Sequence, residues 1–141
     1  MTFATRAPVR IGHVDFMGIV FYPRYFEMIN GAVEDWFSAV TDVDFTSLRE
    51  RWGLGTPTVR LDTEFLKPSR LGEVLDISVS VFKVGRSSCA VDYILAMDGE
   101  IRVKARGVLV CTDAATLRSR PWPDTIREKL IQSQTAMENL T

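Results

Sequence analysis

The sequence predicts an α+β domain in which one long helix lies against a mostly antiparallel sheet of about five strands. Three observations carry this expectation. Apolar residues recur at three- and four-residue steps over a single long segment; downstream the period changes to two, with turn residues between the runs. A length of 141 residues is enough for one well-cored domain and short for two, so residues 1–141 are read as one domain.

The first twelve residues read as extended, since Pro8 disfavours helix and the β-compatible Val9 and Ile11 follow. Gly12 to Val20 fits neither period and reads as a loop. Pro23 suits a first helical turn, where its missing N–H costs nothing. From there Phe26, Ile29, Val33, Trp36, Phe37 and Val40 form one apolar stripe. Gly31 interrupts it; either another backbone approaches closely there or the helix simply tolerates it. A polar connection at Asp42-Val43-Asp44 leads to a short second helix over Thr46–Trp52.

Val59, Leu61, Thr63 and Phe65 then alternate with Arg60, Asp62 and Glu64, and Leu75, Ile77, Val79 and Val81 alternate with Asp76, Ser78 and Ser80. Pro68 and Gly72 separate these two strands, and Gly85-Arg86 and Asp98-Gly99 read as two-residue hairpin turns. Such turns align Leu75, Ile77 and Val79 with Ala90, Ile94, Ala96, Ile101, Val103, Ala105 and Gly107 on the helix-facing side. Asp92 lands on that face too, through a register slip or as a functional carboxylate. Tyr93, Leu95, Arg102, Lys104 and Arg106 fall on the other face. Pro121 and Pro123 introduce a C-terminal helix from about Asp124. One helix covers only one face of such a sheet, so a dimer or a tetramer is expected.

Seventeen Lys and Arg against eighteen Asp and Glu leave a net charge of −1, which argues against a nucleic-acid binder relying on a basic surface. No apolar run approaches the roughly 20 residues of a membrane helix, and the N-terminus lacks the apolar stretch of a secretory signal. The lone His13 and the separated Cys89 and Cys111 do not make a metal site; two free buried thiols suit a cytoplasmic protein.

Asp15 stands on a loop shortly before the helix, where backbone N–H groups are unpaired and the potential is positive. An ionised carboxylate there serves as nucleophile or general base; it equally caps a turn or helix. The run His13-Val14-Asp15-Phe16-Met17-Gly18-Ile19-Val20-Phe21-Tyr22-Pro23-Arg24-Tyr25 resembles the signature of the hotdog-fold acyl-CoA thioesterases: an Asp, two variable residues, a Gly, two apolar residues, an aromatic pair and a Tyr. Tyr22-Pro23 is similar to the 4-hydroxybenzoyl-CoA thioesterase branch, whereas the Tol-Pal-associated branch usually has His in place of Tyr22. Gly55-Thr56-Pro57-Thr58-Val59 and the strand order extend the likeness over nearly the whole chain.

The resemblance implies a hotdog fold, with a long central helix wrapped by the sheet, and active sites between the subunits of a dimer. It makes Asp15 the catalytic carboxylate and the Tyr22 backbone N–H the donor that polarises the thioester carbonyl. Gly18, Tyr25 and Thr56 become substrate-binding positions. The basic triplet that this branch carries in a hairpin is reduced here to Arg86, with Lys83 close by, for the coenzyme A phosphates; Arg102, Lys104 and Arg106 are further cations. The family's chemistry does not depend on a histidine at His13. The implied activity is cofactor-free hydrolysis of an acyl-CoA thioester, with an aromatic acyl group suggested by Tyr22-Pro23 and by Phe16, Phe21 and Tyr25. An acyl-carrier-protein thioesterase, a dehydratase of the same fold and a non-catalytic acyl-thioester binding module are the rival readings.

Overall fold

A computed structural model describes residues 2–138, with side chains to Gln134. Strand β1 (Phe3–Pro8) and a 3-10 turn (Ile11–His13) precede helix α1 (Pro23–Thr41) and helix α2 (Phe45–Trp52). Strands β2 (Leu54–Gly55), β3 (Thr58–Phe65), β4 (Val74–Val84), β5 (Ser88–Met97), β6 (Glu100–Val110) and β7 (Thr112–Asp113) follow, and helix α3 (Asp124–Glu138) ends the described chain. The main sheet has the order β1-β4-β5-β6-β3 with every neighbour antiparallel, and β2 pairs with β7 apart from it.

Helix α1 starts at Pro23 and stops where Asp42 turns left-handed, its N–H donating to the Ser38 carbonyl. Its buried face, including Tyr25, Ile29, Val33, Trp36 and Phe37, packs on Leu75, Ile77, Val79, Val91, Leu95 and Val103 of the sheet. Nothing lies within 4 Å of a Cβ built on Gly31, so within the chain that glycine is tolerated rather than required. Asp44 caps α2 by accepting from the Ser47 N–H at 2.7 Å, and Gly53 ends it. Among the described residues no helix is long and apolar enough to cross a membrane.

Two bulges correct the expected face of β5. The β4–β5 loop holds three residues, Gly85 to Ser87, and an extra residue sits between the pairs Val81–Val91 and Lys83–Ala90. Ile77 therefore pairs with Leu95 rather than Ile94, and a slip of one residue exchanges the two faces of a strand. Val91, Tyr93 and Leu95 face the helix; Asp92 turns outward, where its carboxylate binds the Arg106 guanidinium at 2.6 and 3.0 Å. The Asp98-Gly99 turn forms as expected, with Met97 paired to Glu100. A second bulge, between Leu95 and Ala96 on one side and Val103 and Ile101 on the other, then restores Val103, Ala105 and Gly107 to their expected face, while Ile101, opposite Ala96, falls on the other face against the expectation. Arg102 is the residue left over, and the bulge buries it at 7% exposure.

Helix α3 seals the far end of the sheet. Trp122, Ile126 and Leu130 are buried, and Gln134 donates from Nε2 to the Phe82 carbonyl where β4 runs past β1. Burial pushes the Cys89 thiol up to about 12 and the Cys111 thiol up to about 11, so both are protonated at neutral pH. Strand β3 is different: it pairs with β6 on one side only, and Val59, Phe65 and their neighbours are exposed. Such a long open edge invites another strand.

Candidate active site

The loop expected between β1 and α1 closes on itself. Val14 and Val20 form an antiparallel bridge, the Asp15 N–H donates to the Ile19 carbonyl at 3.0 Å, and the Gly18 N–H donates to the Asp15 carbonyl at 3.0 Å. Residues 15–18 thus make a four-residue turn whose last position has φ +77°, where glycine avoids the strain of a Cβ. Asp15 Oδ1 accepts from the Met17 N–H at 2.8 Å, while its second oxygen has no partner among the described residues. Phe16, at 98% exposure, stands at the tip of the turn.

The Phe21 N–H donates to the His13 carbonyl at 2.9 Å, which anchors the start of α1 to the base of this turn. Tyr22 is the N-cap (φ −52°, ψ −36°), with Pro23 next and no side chain capping the helix. No acceptor among the described residues meets the Tyr22 N–H. It is therefore an open donor at the positive end of a 19-residue helix. His13 does not share a strand with Asp15, because β1 ends at Pro8; its Nδ1 accepts from the Arg10 N–H at 2.8 Å and holds the 3-10 turn.

A buried ion network supports the turn from behind. Arg102 donates from both terminal nitrogens to Glu73, at 2.9 and 3.1 Å, and to the Pro68 carbonyl at 2.9 Å; its Nε lies 2.8 Å from Glu100 without hydrogen-bond alignment. These contacts fix the segment 68–73, which in turn holds the site loop. The Ser69 carbonyl accepts from the Val20 N–H, Arg70 bridges Ile19, and the Leu71 N–H donates to the Gly18 carbonyl. Arg102 is thus a structural residue and is not free for phosphate, which corrects the expectation. Arg106 is occupied by Asp92, and its guanidinium sits 3.6 Å above the Phe82 ring; Lys104 stays exposed opposite Glu64.

Arg102→Met keeps the apolar stem but takes the guanidinium from Glu73, which then keeps only the Arg70 N–H, and leaves the Pro68 carbonyl without that donor. A loss of about 3 kcal/mol in unfolding free energy at pH 7 is expected, read by urea titration. The Arg102 hydrogen bond holds the Glu73 carboxyl below its usual range. Ionised Glu73 therefore stabilises the fold above its unfolded pKa, and the contribution is lost as pH falls through the lower folded value. The gap between wild type and variant should narrow from about pH 4 downward.

Aromatic rings surround the helix start. Tyr22 meets Phe21, Phe26 and Phe65 edge-on at 5.6, 6.4 and 5.9 Å. Tyr25 is buried beneath Phe65, 5.9 Å away, and forms the floor of the cluster. Phe65 enters from the last residue of β3; its alternation marks a strand, and only the register reveals its place beside the loop.

Asp15, Gly18, Tyr22 and Tyr25 are therefore brought together, and Thr56, Lys83 and Arg86 are not. Thr56 precedes the opposite end of β3, about 24 Å from Phe65 along the strand. Lys83 and Arg86 lie at the β4–β5 hairpin, at that same far end, both exposed and without an ion pair among the described residues.

A model of the thioesterase-like superfamily matches residues 9–130. A 1,4-dihydroxy-2-naphthoyl-CoA hydrolase of Synechococcus elongatus is 22% identical over 122 residues, covering 86% of this chain and 90% of that protein. The solved DHNA-CoA thioesterase of Staphylococcus aureus is similar with a TM-score of 0.90 at 18% identity, covering 99% of this chain and 95% of that one. Another Staphylococcus aureus protein, solved in complex with CoA, gives a TM-score of 0.89 at 14% identity, over 96% of this chain and 85% of that one. The fold is the hotdog fold.

Proposed function

The chain belongs to the thioesterase-like superfamily, and we propose that it hydrolyses an acyl-coenzyme A thioester to the free acid and coenzyme A. It is a thioester hydrolase, like the relatives it matches. One observation supports the site assignment above others: a carboxylate with one oxygen unengaged stands on a rigid turn anchored to a helix start whose N–H has no acceptor. The Tyr22 N–H donates to the thioester carbonyl oxygen. As the carbonyl carbon is attacked, negative charge builds on that oxygen, and a fixed donor at a helix end stabilises it without reorganisation. Asp15 supplies the attack, either directly as nucleophile or by taking a proton from water. Collapse of the tetrahedral adduct breaks the C–S bond. With water as the attacking group, the departing thiolate recovers the proton that Asp15 took; with Asp15 as nucleophile, a mixed anhydride remains on Asp15, and water cleaves it to the free acid and the Asp15 carboxylate, giving up the proton that the thiolate takes.

The open edge of β3 completes this reading through a dimer. Two copies of β3 pairing antiparallel about a two-fold axis set the Thr58 end of one strand beside the Phe65 end of the other. Thr56, Lys83 and Arg86 of each copy then approach the Asp15 end of its neighbour. Two cations near that end suit the phosphates of coenzyme A.

Thiol release from a series of aromatic and aliphatic acyl-CoA esters, beside the matching acyl-carrier-protein thioesters, tests the function. Turnover of the CoA esters is the expected result. Turnover of carrier-protein substrates alone transfers the assignment to them, and binding without hydrolysis makes the chain an acyl-thioester module. Light scattering on the same sample should give at least twice the chain mass; a stable monomer at micromolar concentration overturns the shared site.

A further inference from the structure

A groove of about 340 Å³ runs between α1 and β3, walled by Phe26, Ile29, Val33 and Leu61, with Asn30 at its rim and Tyr93 in its lining. Its near end is Phe26, one helical turn beyond the Tyr22 donor and in ring contact with Tyr22. Its far end, Val33, lies about 10 Å further along the helix. Such a volume is at the small end of ligand cavities, which suits a compact acyl group better than a long chain.

Glu27, Asn30, Thr58 and Tyr93 are the residues of the groove's lining that carry polar groups. Tyr93, Ala105 and Thr63 are successive partners across β5, β6 and β3 on the helix-facing side. The Tyr93 ring reaches toward β3 over Gly107: a Cβ on that glycine would meet Tyr93 Cε2 at 3.1 Å, Leu61 Cδ1 at 3.3 Å and the Tyr93 hydroxyl at 3.5 Å. Gly107 is thus the space in which the ring lies. Tyr93 is 1% exposed and lines the groove, and its hydroxyl has no hydrogen-bond partner among the described residues. Once a ligand fills the groove and excludes water, a hydroxyl left without a partner costs the bond it gave up. Burial also pushes the Tyr93 phenol upward, so it is held as a proton donor.

We propose that Tyr93 is the specificity-determining residue of this enzyme: its hydroxyl bonds a polar substituent, a hydroxyl or carbonyl oxygen, borne by a compact ring-like acyl group seated in the groove. The inference rests on the thioesterase reading and adds to it the chemistry of the acyl group. A site that spends a buried hydroxyl on its substrate rejects the analogue lacking the partner, because the hydroxyl is then left unpaired. A plain hydrocarbon acyl group fits the same volume and is selected against.

Tyr93→Phe keeps the ring and removes the hydroxyl. The kcat/KM values of wild type and variant are compared for benzoyl-CoA and its 2-, 3- and 4-hydroxy derivatives, with melting temperature as the control for folding. Wild type is expected to favour at least one hydroxylated ester over benzoyl-CoA by a hundredfold or more. Tyr93→Phe should lower that preference at least tenfold while leaving benzoyl-CoA within a factor of about three. Equal preference in wild type, or a preference unchanged in the variant, overturns the assignment. Calorimetric binding of benzoate and the three hydroxybenzoates to both proteins needs no turnover, so it decides the matter even where hydrolysis of CoA esters fails altogether. Should Tyr93→Phe not fold, Gly107→Ala, which crowds the ring, replaces it under the same criteria.

Discussion

Tyr22→Pro is expected to lower kcat for thioester hydrolysis by about a hundred- to a thousandfold, the usual cost of removing one oxyanion donor. Proline has no N–H, and its ring holds φ near −65°, close to the −52° that Tyr22 already adopts. The helix loses no bond, because the Tyr22 N–H meets no acceptor among the described residues and the helical ladder begins after it. Tyr22→Pro also deletes the ring that packs on Phe21, Phe26 and Phe65, so Tyr22→Ala is the necessary companion. Alanine removes the ring and keeps the donor. The difference in kcat between the two variants isolates the N–H, with melting temperatures confirming that both fold. Equal kcat values remove the donor from the mechanism.

Much of this geometry was legible because it is local. Pro23 sets the start of α1, the apolar stripe sets its buried face, and the Asp98-Gly99 turn sets one hairpin. Each of these is decided within a few residues, where steric and capping rules act directly. The face of β5 was not legible. Its residues read as an alternating strand in either register, and the choice was made by an extra residue at Phe82 and another at Arg102. Neither bulge leaves a mark in the period of the sequence. Their consequences are large all the same: Asp92 leaves the core, Tyr93 enters it, and Arg102 is buried against Glu73.

The site divides along the same line. Asp15, Gly18 and Tyr22 occupy one turn and one helix start, so sequence spacing already placed them together. Phe65 and the 68–73 segment join that site through the sheet, by contacts more than forty residues away in the chain. No period or motif announces such a contact. Thr56, Lys83 and Arg86 are separated from Asp15 by the length of the strands, and a resemblance between sequences does not say which copy of the chain supplies a residue. In the proposed dimer, pairing along the open edge of β3 brings the two ends together.

Asp15→Asn should leave substrate binding nearly unchanged and lower kcat by about a hundredfold or more. The side chain keeps its size, and an amide oxygen accepts from the Met17 N–H as the carboxylate does, since Asn supports this kind of turn as readily as Asp. The backbone bonds that close the turn, from Asp15 to Ile19 and from Gly18 to Asp15, involve no side-chain atom. The Tyr22 donor is likewise untouched. What the substitution removes is the negative charge on the oxygen that has no partner among the described residues. A carboxylate acting only as a turn residue predicts a different result, with rate and melting temperature both close to wild type. Binding of a non-hydrolysable acyl-CoA analogue, kcat and melting temperature measured on one preparation therefore separate the two roles. Retained binding and melting with lost turnover assign the chemistry to Asp15; retained turnover returns Asp15 to the turn it closes.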